Sequence, residues 1–112
     1  MTSATALERY RADVVARVAA LDAELESLRM ARADDNADDE HDPEGSTLSS
    51  DWSRLAGLRA DAARDLQQAD AARARIADGS YGLCVTCGRT IPDARLAVRP
   101  AALQCVQCAA AR

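Results

Sequence analysis

Four cysteines near the carboxyl end are the residues of this sequence best suited to chemistry. They form two pairs, Cys84-x2-Cys87 and Cys105-x2-Cys108, with 17 residues between the pairs. Zinc takes four thiolates in a tetrahedron, and a gap of two residues lets one tight turn aim both sulfur atoms of a pair at one ion. This spacing predicts one structural Zn²⁺ bound by all four cysteines.

Other chemistries also use paired cysteines. A thiol redox centre needs only one such pair, but no thioredoxin-like βαβ pattern accompanies these two. An iron–sulfur cluster takes four cysteines as well and stays open as an alternative. A catalytic zinc keeps one coordination position open and usually has histidine ligands, whereas His41 is the single histidine of the chain. Four sulfur ligands close the shell, so we predict a structural ion and no enzyme activity.

A long helix is predicted for the first segment of the chain. Apolar residues follow a stripe of period 3.5 from Leu7 to Leu28, which is typical of a coiled-coil seam. No proline or glycine interrupts residues 6–32, and Ser3 or Thr5 is the expected N-cap. The seam consists of Leu7, Val14, Val18, Leu21, Leu25 and Leu28, with Arg11 in one position.

A second long helix is predicted to begin after Gly45, with Ser46 or Thr47 as its N-cap, and to end near Asp78-Gly79. Its seam consists of Leu48, Trp52, Leu55, Ala62, Leu66, Ala69 and Ile76, diluted by Arg59 and Arg73. Two such helices, joined by a connection of about 14 residues, predict an antiparallel hairpin, although pairing with another chain would also satisfy the pattern. The predicted domains are a hairpin over residues 1–80, with its tip at about 33–47, and a zinc finger over residues 81–112.

Charge is concentrated at the predicted tip. Residues 34–44 hold seven acids and no arginine, whereas the chain as a whole has a net charge of −4 and no lysine. No apolar run is long enough to span a membrane, and the first 20 residues lack the apolar stretch of a secretory signal. We therefore predict a cytoplasmic protein, in a compartment where thiols stay reduced.

The cysteine segment resembles the zinc finger of the DksA/TraR family. The matching residues are Tyr81-Gly82-Leu83-Cys84-Val85-Thr86-Cys87-Gly88, Ile91, Arg95-Leu96, Arg99-Pro100 and Cys105-Val106-Gln107-Cys108. The resemblance implies a mostly α fold: a long antiparallel coiled-coil helical hairpin, a small four-cysteine zinc finger and a very short C-terminal helix. It also implies a regulator that binds RNA polymerase and inserts the hairpin into the secondary channel to modulate initiation, in some members together with guanosine tetraphosphate.

Residue roles follow from the same resemblance. The family's tip pattern, Asp-x-x-Asp-x-Ala, aligns with residues 42–47. Asp42 matches the first Asp, whereas Gly45 replaces the second Asp and Thr47 replaces the Ala. The implied tip contacts with the polymerase active centre are Asp39, Glu40, Asp42 and Glu44. Arg95 and Arg99 match the segment next to the finger and are the implied nucleotide or polymerase contacts.

Two other functions remain open from the sequence. A structural coiled-coil adaptor with a zinc-stabilised end would need the same seams and cysteines. A zinc-ribbon DNA binder would also carry two cysteine pairs, but an isoelectric point of about 4.9 argues against sequence-specific DNA binding.

Overall fold

A computed structural model of the chain describes residues 2–38 and 43–111, without the side chains of residues 34–47. The described residues contain two long helices, α1 (Ser3–Asp38) and α2 (Pro43–Asp78), and two short ones, α3 (Asp93–Val98) and α4 (Val106–Ala110). Paired helices, a four-cysteine finger and a very short terminal helix confirm the predicted mostly α fold class. None of the helices in this part of the chain has the length and apolar character needed to cross a membrane.

Helix α1 begins one residue after its cap. The Thr2 hydroxyl accepts a hydrogen bond from the Thr5 backbone N–H at 3.1 Å, which satisfies one of the free donors of the first turn. The predicted N-caps, Ser3 and Thr5, were therefore wrong, because both residues already lie within the helix. The helix continues past its last seam residue to Asp38, since no proline or glycine interrupts it.

Helix α2 begins earlier than the sequence predicted. Pro43 is its first residue, a position where the fixed φ of proline suits the helix and its missing N–H costs nothing. Ser46 and Thr47 lie inside the helix and are not its caps, which corrects the predicted start. The helices are longer than expected, with 36 residues each.

The end of α2 agrees with the prediction. Gly79 follows the last helical residue with φ of 84°, a left-handed conformation that glycine adopts without strain. The Gly79 N–H donates to the Ile76 carbonyl at 3.3 Å, and the Ser80 N–H donates to the Arg75 carbonyl at 2.9 Å. This pair of bonds is a Schellman motif, and it satisfies two carbonyls that the helix end would otherwise leave free.

The described residues form two compact units. The first unit joins Met1–Val14 to Asp65–Arg112. In it, Leu7 of α1 packs with Ala69 and Ala72 of α2 in a buried cluster. Two ion pairs cross between the helices in antiparallel order, Arg11 with Asp70 at 2.6 Å and Arg73 with Glu8 at 2.6 Å.

The seam prediction fails at one position of this unit. Ile76 is 38% exposed, while Ala72 is buried. Tyr81 and Ala101 of the finger segment pack against the cluster that contains Ala72. Packing against the finger therefore selects a different face of the last turns of α2 from the one that the heptad repeat indicates.

The second unit is Val15–Arg64. Its core consists of Leu21, Leu55 and Ala62, with the half-buried side chains of Val18, Leu25 and Leu28 packed against it. Arg59 donates to Asp22 of α1 at 2.8 Å. The predicted seam is confirmed here at Leu21 of α1 and at Leu55 and Ala62 of α2, which form the buried layer.

Candidate metal centre

The first cysteine pair lies in a turn that closes a small hairpin. Leu83 and Thr90 form an antiparallel bridge, and the Cys84 N–H donates to the Arg89 carbonyl at 2.8 Å. Gly88, the residue after the pair, has φ of 75°, a left-handed conformation that glycine adopts without strain. Its N–H donates to the Cys84 carbonyl at 2.9 Å, so the turn folds back on the first ligand residue.

The second cysteine pair lies at the start of α4. Cys105 precedes the helix and Cys108 is in its first turn, three residues further on. Residues three apart lie on one face of a helix, so both sulfur atoms project to the same side. The Val85 N–H donates to the Leu103 carbonyl at 2.9 Å and holds the two cysteine segments side by side.

The four sulfur atoms converge on one point. All four Sγ atoms lie within 4.8 Å of one another, and those of Cys87 and Cys105 are 3.9 Å apart. A tetrahedral zinc site with Zn–S bonds of about 2.3 Å has sulfur atoms about 3.8 Å apart. All four thiols are free, so no disulfide competes for the sulfur atoms. The geometry therefore fits a tetrahedral ion bound by four sulfur atoms.

Hydrogen bonds at the sulfur atoms shift the pKa values of two ligand thiols in opposite directions. Backbone N–H groups of Cys87 and Cys105 lower the pKa of the Cys84 thiol to about 6. The neighbouring sulfur atoms of Cys105 and Cys84 raise the pKa of Cys108 to about 12. Because ligand sulfur must be deprotonated, a metal ion that binds here displaces the thiol protons.

A small apolar core supports the cysteines. Ile91 and Leu96 are buried together with Cys84 and Cys105, and Tyr81 packs against this cluster. Among the described residues of the finger, four form the buried part of this cluster. Four side chains bury less apolar area than an independent fold of this size needs. The finger therefore depends on the metal for most of its stability.

Side chains outside the cysteine pairs hold the backbone next to them. Arg95 of α3 donates from Nε to the Gln104 carbonyl at 2.9 Å. The Gln104 amide donates to the Thr86 hydroxyl at 2.8 Å. Arg75 of α2 donates to the carbonyls of Ser80 at 2.9 Å and Leu83 at 2.5 Å. Apart from Arg95, which was predicted for another role, the sequence carried no signal that singled out these residues.

The remaining predicted site residues are not part of this centre. Arg99 is exposed and lines a polar cleft with Tyr10, Gln68 and Pro100. Asp39, Glu40 and Asp42 lie outside the described residues, as does the side chain of Glu44. Their roles, and those of Arg95 and Arg99 in binding a nucleotide or polymerase, remain predictions.

Comparison with known proteins identifies the finger and the fold. Residues 79–112 match the family model of the prokaryotic DksA/TraR C4-type zinc finger. The solved structure of transcription factor DksA2 from Pseudomonas aeruginosa aligns with 94% of this chain and 81% of its own, with a TM-score of 0.61. Sequence identity is 22%, so this likeness shows a shared fold. No curated protein matches the chain.

The family match and the sulfur geometry agree on the cofactor. A C4 finger with four convergent cysteines holds one structural Zn²⁺. The resemblance that the sequence indicated is confirmed: residues 79–112 are a zinc finger of the DksA/TraR C4 type, and the helical hairpin before them shares the DksA fold.

Proposed function

We propose that this chain is a zinc-containing transcription regulator that binds RNA polymerase. In this proposal the acidic tip of the hairpin enters the secondary channel and modulates initiation. The observation that carries the proposal is the combination of a DksA/TraR C4 finger at residues 79–112 with the fold of a transcription factor, DksA2, over most of the chain.

The metal has a structural role in this proposal. Cys84, Cys87, Cys105 and Cys108 each supply one sulfur ligand to a single Zn²⁺, which leaves no coordination position for a substrate. The ion closes the finger on its small apolar core and holds the turn after α2. Catalysis is not part of the proposed function, since a closed tetrahedral shell cannot activate water.

The tip contributes charge. Seven acids lie within residues 34–44, and the candidates among them for contact with the polymerase active centre are Asp39, Glu40, Asp42 and Glu44. Carboxylates are favoured ligands of Mg²⁺ and are attracted to a magnesium-containing centre at short range. A pair of packed helices is narrow enough, at about 10 Å per helix, to enter a channel.

Arginines near the finger are the proposed contacts for the polymerase surface or for guanosine tetraphosphate. Arg99 is exposed beside a polar cleft, which leaves its guanidinium accessible to an anionic partner. Arg95 is half-buried, and its Nε is engaged by the Gln104 carbonyl. Arg99 is therefore the better candidate of the two. The proposed location is the cytoplasm, and no sequence-specific DNA contact is required.

A transcription assay with a matched control tests the proposal. The double variant Asp42→Asn with Glu44→Gln neutralises the tip, and Asp13→Asn with Glu24→Gln removes the same charge from exposed positions of α1. We expect both variants to co-purify with core polymerase, while only the tip variant loses the effect on initiation in vitro. Equal effects of the two variants would contradict the proposed role of the tip.

The same material separates the alternative functions. A structural adaptor would neither co-purify with polymerase nor alter initiation. A DNA binder would bind duplex DNA with an affinity that falls steeply as salt is raised. Metal analysis of freshly purified protein should give one zinc per chain, and its absence would contradict the proposed ligand set.

A further inference from the structure

A chain of hydrogen bonds links three parts of the finger. Arg95, on α3, donates from its guanidinium to the main-chain carbonyl of Gln104 at 2.9 Å. The side-chain amide of Gln104 then donates to the Thr86 hydroxyl at 2.8 Å. These two hydrogen bonds connect α3 to the second cysteine segment and that segment to the first. Gln104 and Thr86 are 18 residues apart in the sequence.

Each bond acts on a residue next to a sulfur ligand. Gln104 immediately precedes Cys105, which is buried, and Thr86 lies between Cys84 and Cys87. The carbonyl that Arg95 holds is in the peptide bond that leads into Cys105. A shift of that peptide would move the Cys105 sulfur atom relative to that of Cys87, now 3.9 Å away.

We propose that Arg95 is a positioning residue of the zinc site and acts through Gln104 and Thr86 to fix the separation of the two cysteine pairs. The inference rests on the proposed ligation by all four sulfur atoms. It assigns to Arg95 a role inside the finger that is separate from contact with a nucleotide or polymerase.

Physical chemistry favours an arginine at this place. Four thiolates around Zn²⁺ carry a net charge of −2, which a nearby guanidinium partly offsets. A hydrogen bond from a charged donor is about twice as strong as a neutral one. Arg95 and Gln104 are half-buried, so water replaces a lost partner of their bond only in part, whereas Thr86 is exposed. Residues that orient metal ligands typically change metal affinity by about 10- to 100-fold when they are substituted.

Zinc retention in two arginine variants gives the first test. Arg95→Gln removes the donor and its charge. Arg89→Gln removes the same charge from an exposed arginine whose side chain makes no hydrogen bond to another described residue. We expect Arg95→Gln to lower Zn²⁺ affinity, measured by competition with a chromogenic chelator, by about 10-fold or more. Arg89→Gln should stay within about 2-fold of the unmodified chain, as expected for a surface charge. Equal losses in the two variants would overturn the proposal.

A second pair of variants does not depend on the folding of Arg95→Gln. Thr86→Val removes the hydroxyl that accepts the hydrogen bond from Gln104, with little change in shape. Thr86→Ser retains the hydroxyl. We expect Thr86→Val to release zinc faster and to alter the absorption bands of the Co²⁺-substituted finger, which report ligand geometry. Thr86→Ser should keep the zinc release rate and the Co²⁺ absorption bands of the unmodified chain. Identical behaviour of the two substitutions would show that the hydroxyl does not position the site.

The unmodified chain distinguishes a failure of zinc ligation from a failure of the positioning role. If it binds no Zn²⁺ and no Co²⁺, the ligation proposed above fails. If it binds one ion and the Arg95 and Thr86 variants retain that ion as well as the Arg89 control, only the positioning role fails. Circular dichroism of each variant checks that the long helices are intact.

Discussion

The two compact units of this protein use different means to hold short apolar sequences together. Of the eleven buried hydrophobic side chains in the described residues, eight lie in the first unit and three in the second. The first unit contains the four cysteines, whereas the second has one layer of leucine and alanine between two helices. A metal ion therefore allows the first unit to fold a segment that is too small to fold by burial alone.

Tyr81 connects the two buried clusters of the first unit. It packs against the finger cluster and also against the cluster of Leu7, Ala69 and Ala72. Its hydroxyl donates to the Pro100 carbonyl at 2.8 Å and lies 3.4 Å from the Ser3 carbonyl. Zinc binding in the finger is thereby coupled to helix packing within this unit. Among the described side chains of the second unit there is no metal-binding cluster.

Removal of zinc should produce the largest difference in stability between the two units. Structural zinc contributes on the order of 10 kcal/mol to the folding of small fingers, so chelation should unfold residues 81–108. Amide hydrogen exchange should then show lost protection in the finger and reduced protection around Leu7 and Ala69, which pack against Tyr81. Amides of residues 15–38 and 43–64 that are protected before chelation should keep their protection.

Zinc added back serves as the control for that experiment. Protection in the finger should return with one equivalent of Zn²⁺. Uniform loss of protection in both units on chelation would contradict the distinction between a metal-dependent unit and a metal-independent one.

A leucine pair on α2 tests the second unit, with a smaller expected effect. Leu55 is 5% exposed and belongs to the core, whereas Leu58 is 45% exposed. Leu55→Ala should lower the free energy of unfolding by about 2–5 kcal/mol through lost burial and a residual cavity. Leu58→Ala, the same change three residues away, should cost less than about 1 kcal/mol. Denaturant titration followed by circular dichroism measures both, and similar losses would show that no buried seam exists here.

Tyr81→Phe should have the smallest effect and a distinctive pH dependence. Loss of the hydrogen bond to Pro100 should cost about 1 kcal/mol at neutral pH. Burial raises the pKa of Tyr81, because it disfavours the phenolate. A raised pKa in the folded state means that this stabilisation is complete below the ordinary pKa of about 10 and is lost as the pH rises through the folded-state value.

The phenylalanine variant lacks that titration. Thermal unfolding of zinc-loaded protein should therefore show the two chains converging in stability as the pH is raised above about 10. A constant difference between them at all pH values would refute the assigned contribution of the Tyr81 hydroxyl.

Much of this architecture was accessible from the sequence because it depends on local chemistry. Two cysteines separated by two residues can direct both sulfur atoms at one ion from a single turn, wherever in the fold that turn lies. The second helix was predicted to end near Asp78-Gly79, and Gly79 follows its last residue with a positive φ. Leu21 and Leu55 were predicted for the seam from heptad spacing, and both are buried.

Other features required the folded chain. The predicted caps of both long helices were wrong, since Thr2 and Pro43 also satisfy the general preferences for a helix start. Ile76 follows the heptad repeat but is exposed, because the finger packs on Ala72 instead. The spacing of apolar residues along one helix cannot predict where a distant segment of the chain packs against that helix.

The sequence by itself determined that one zinc ion, two seamed helices and a concentrated acidic segment belong to this protein, since each depends on residue type and short-range spacing. Only the tertiary structure decided which side chains support the metal. Arg95 reaches Gln104 across 9 positions, and Tyr81 reaches Pro100 across 19. Such contacts depend on how distant segments pack against one another, and no local pattern of residues specifies them.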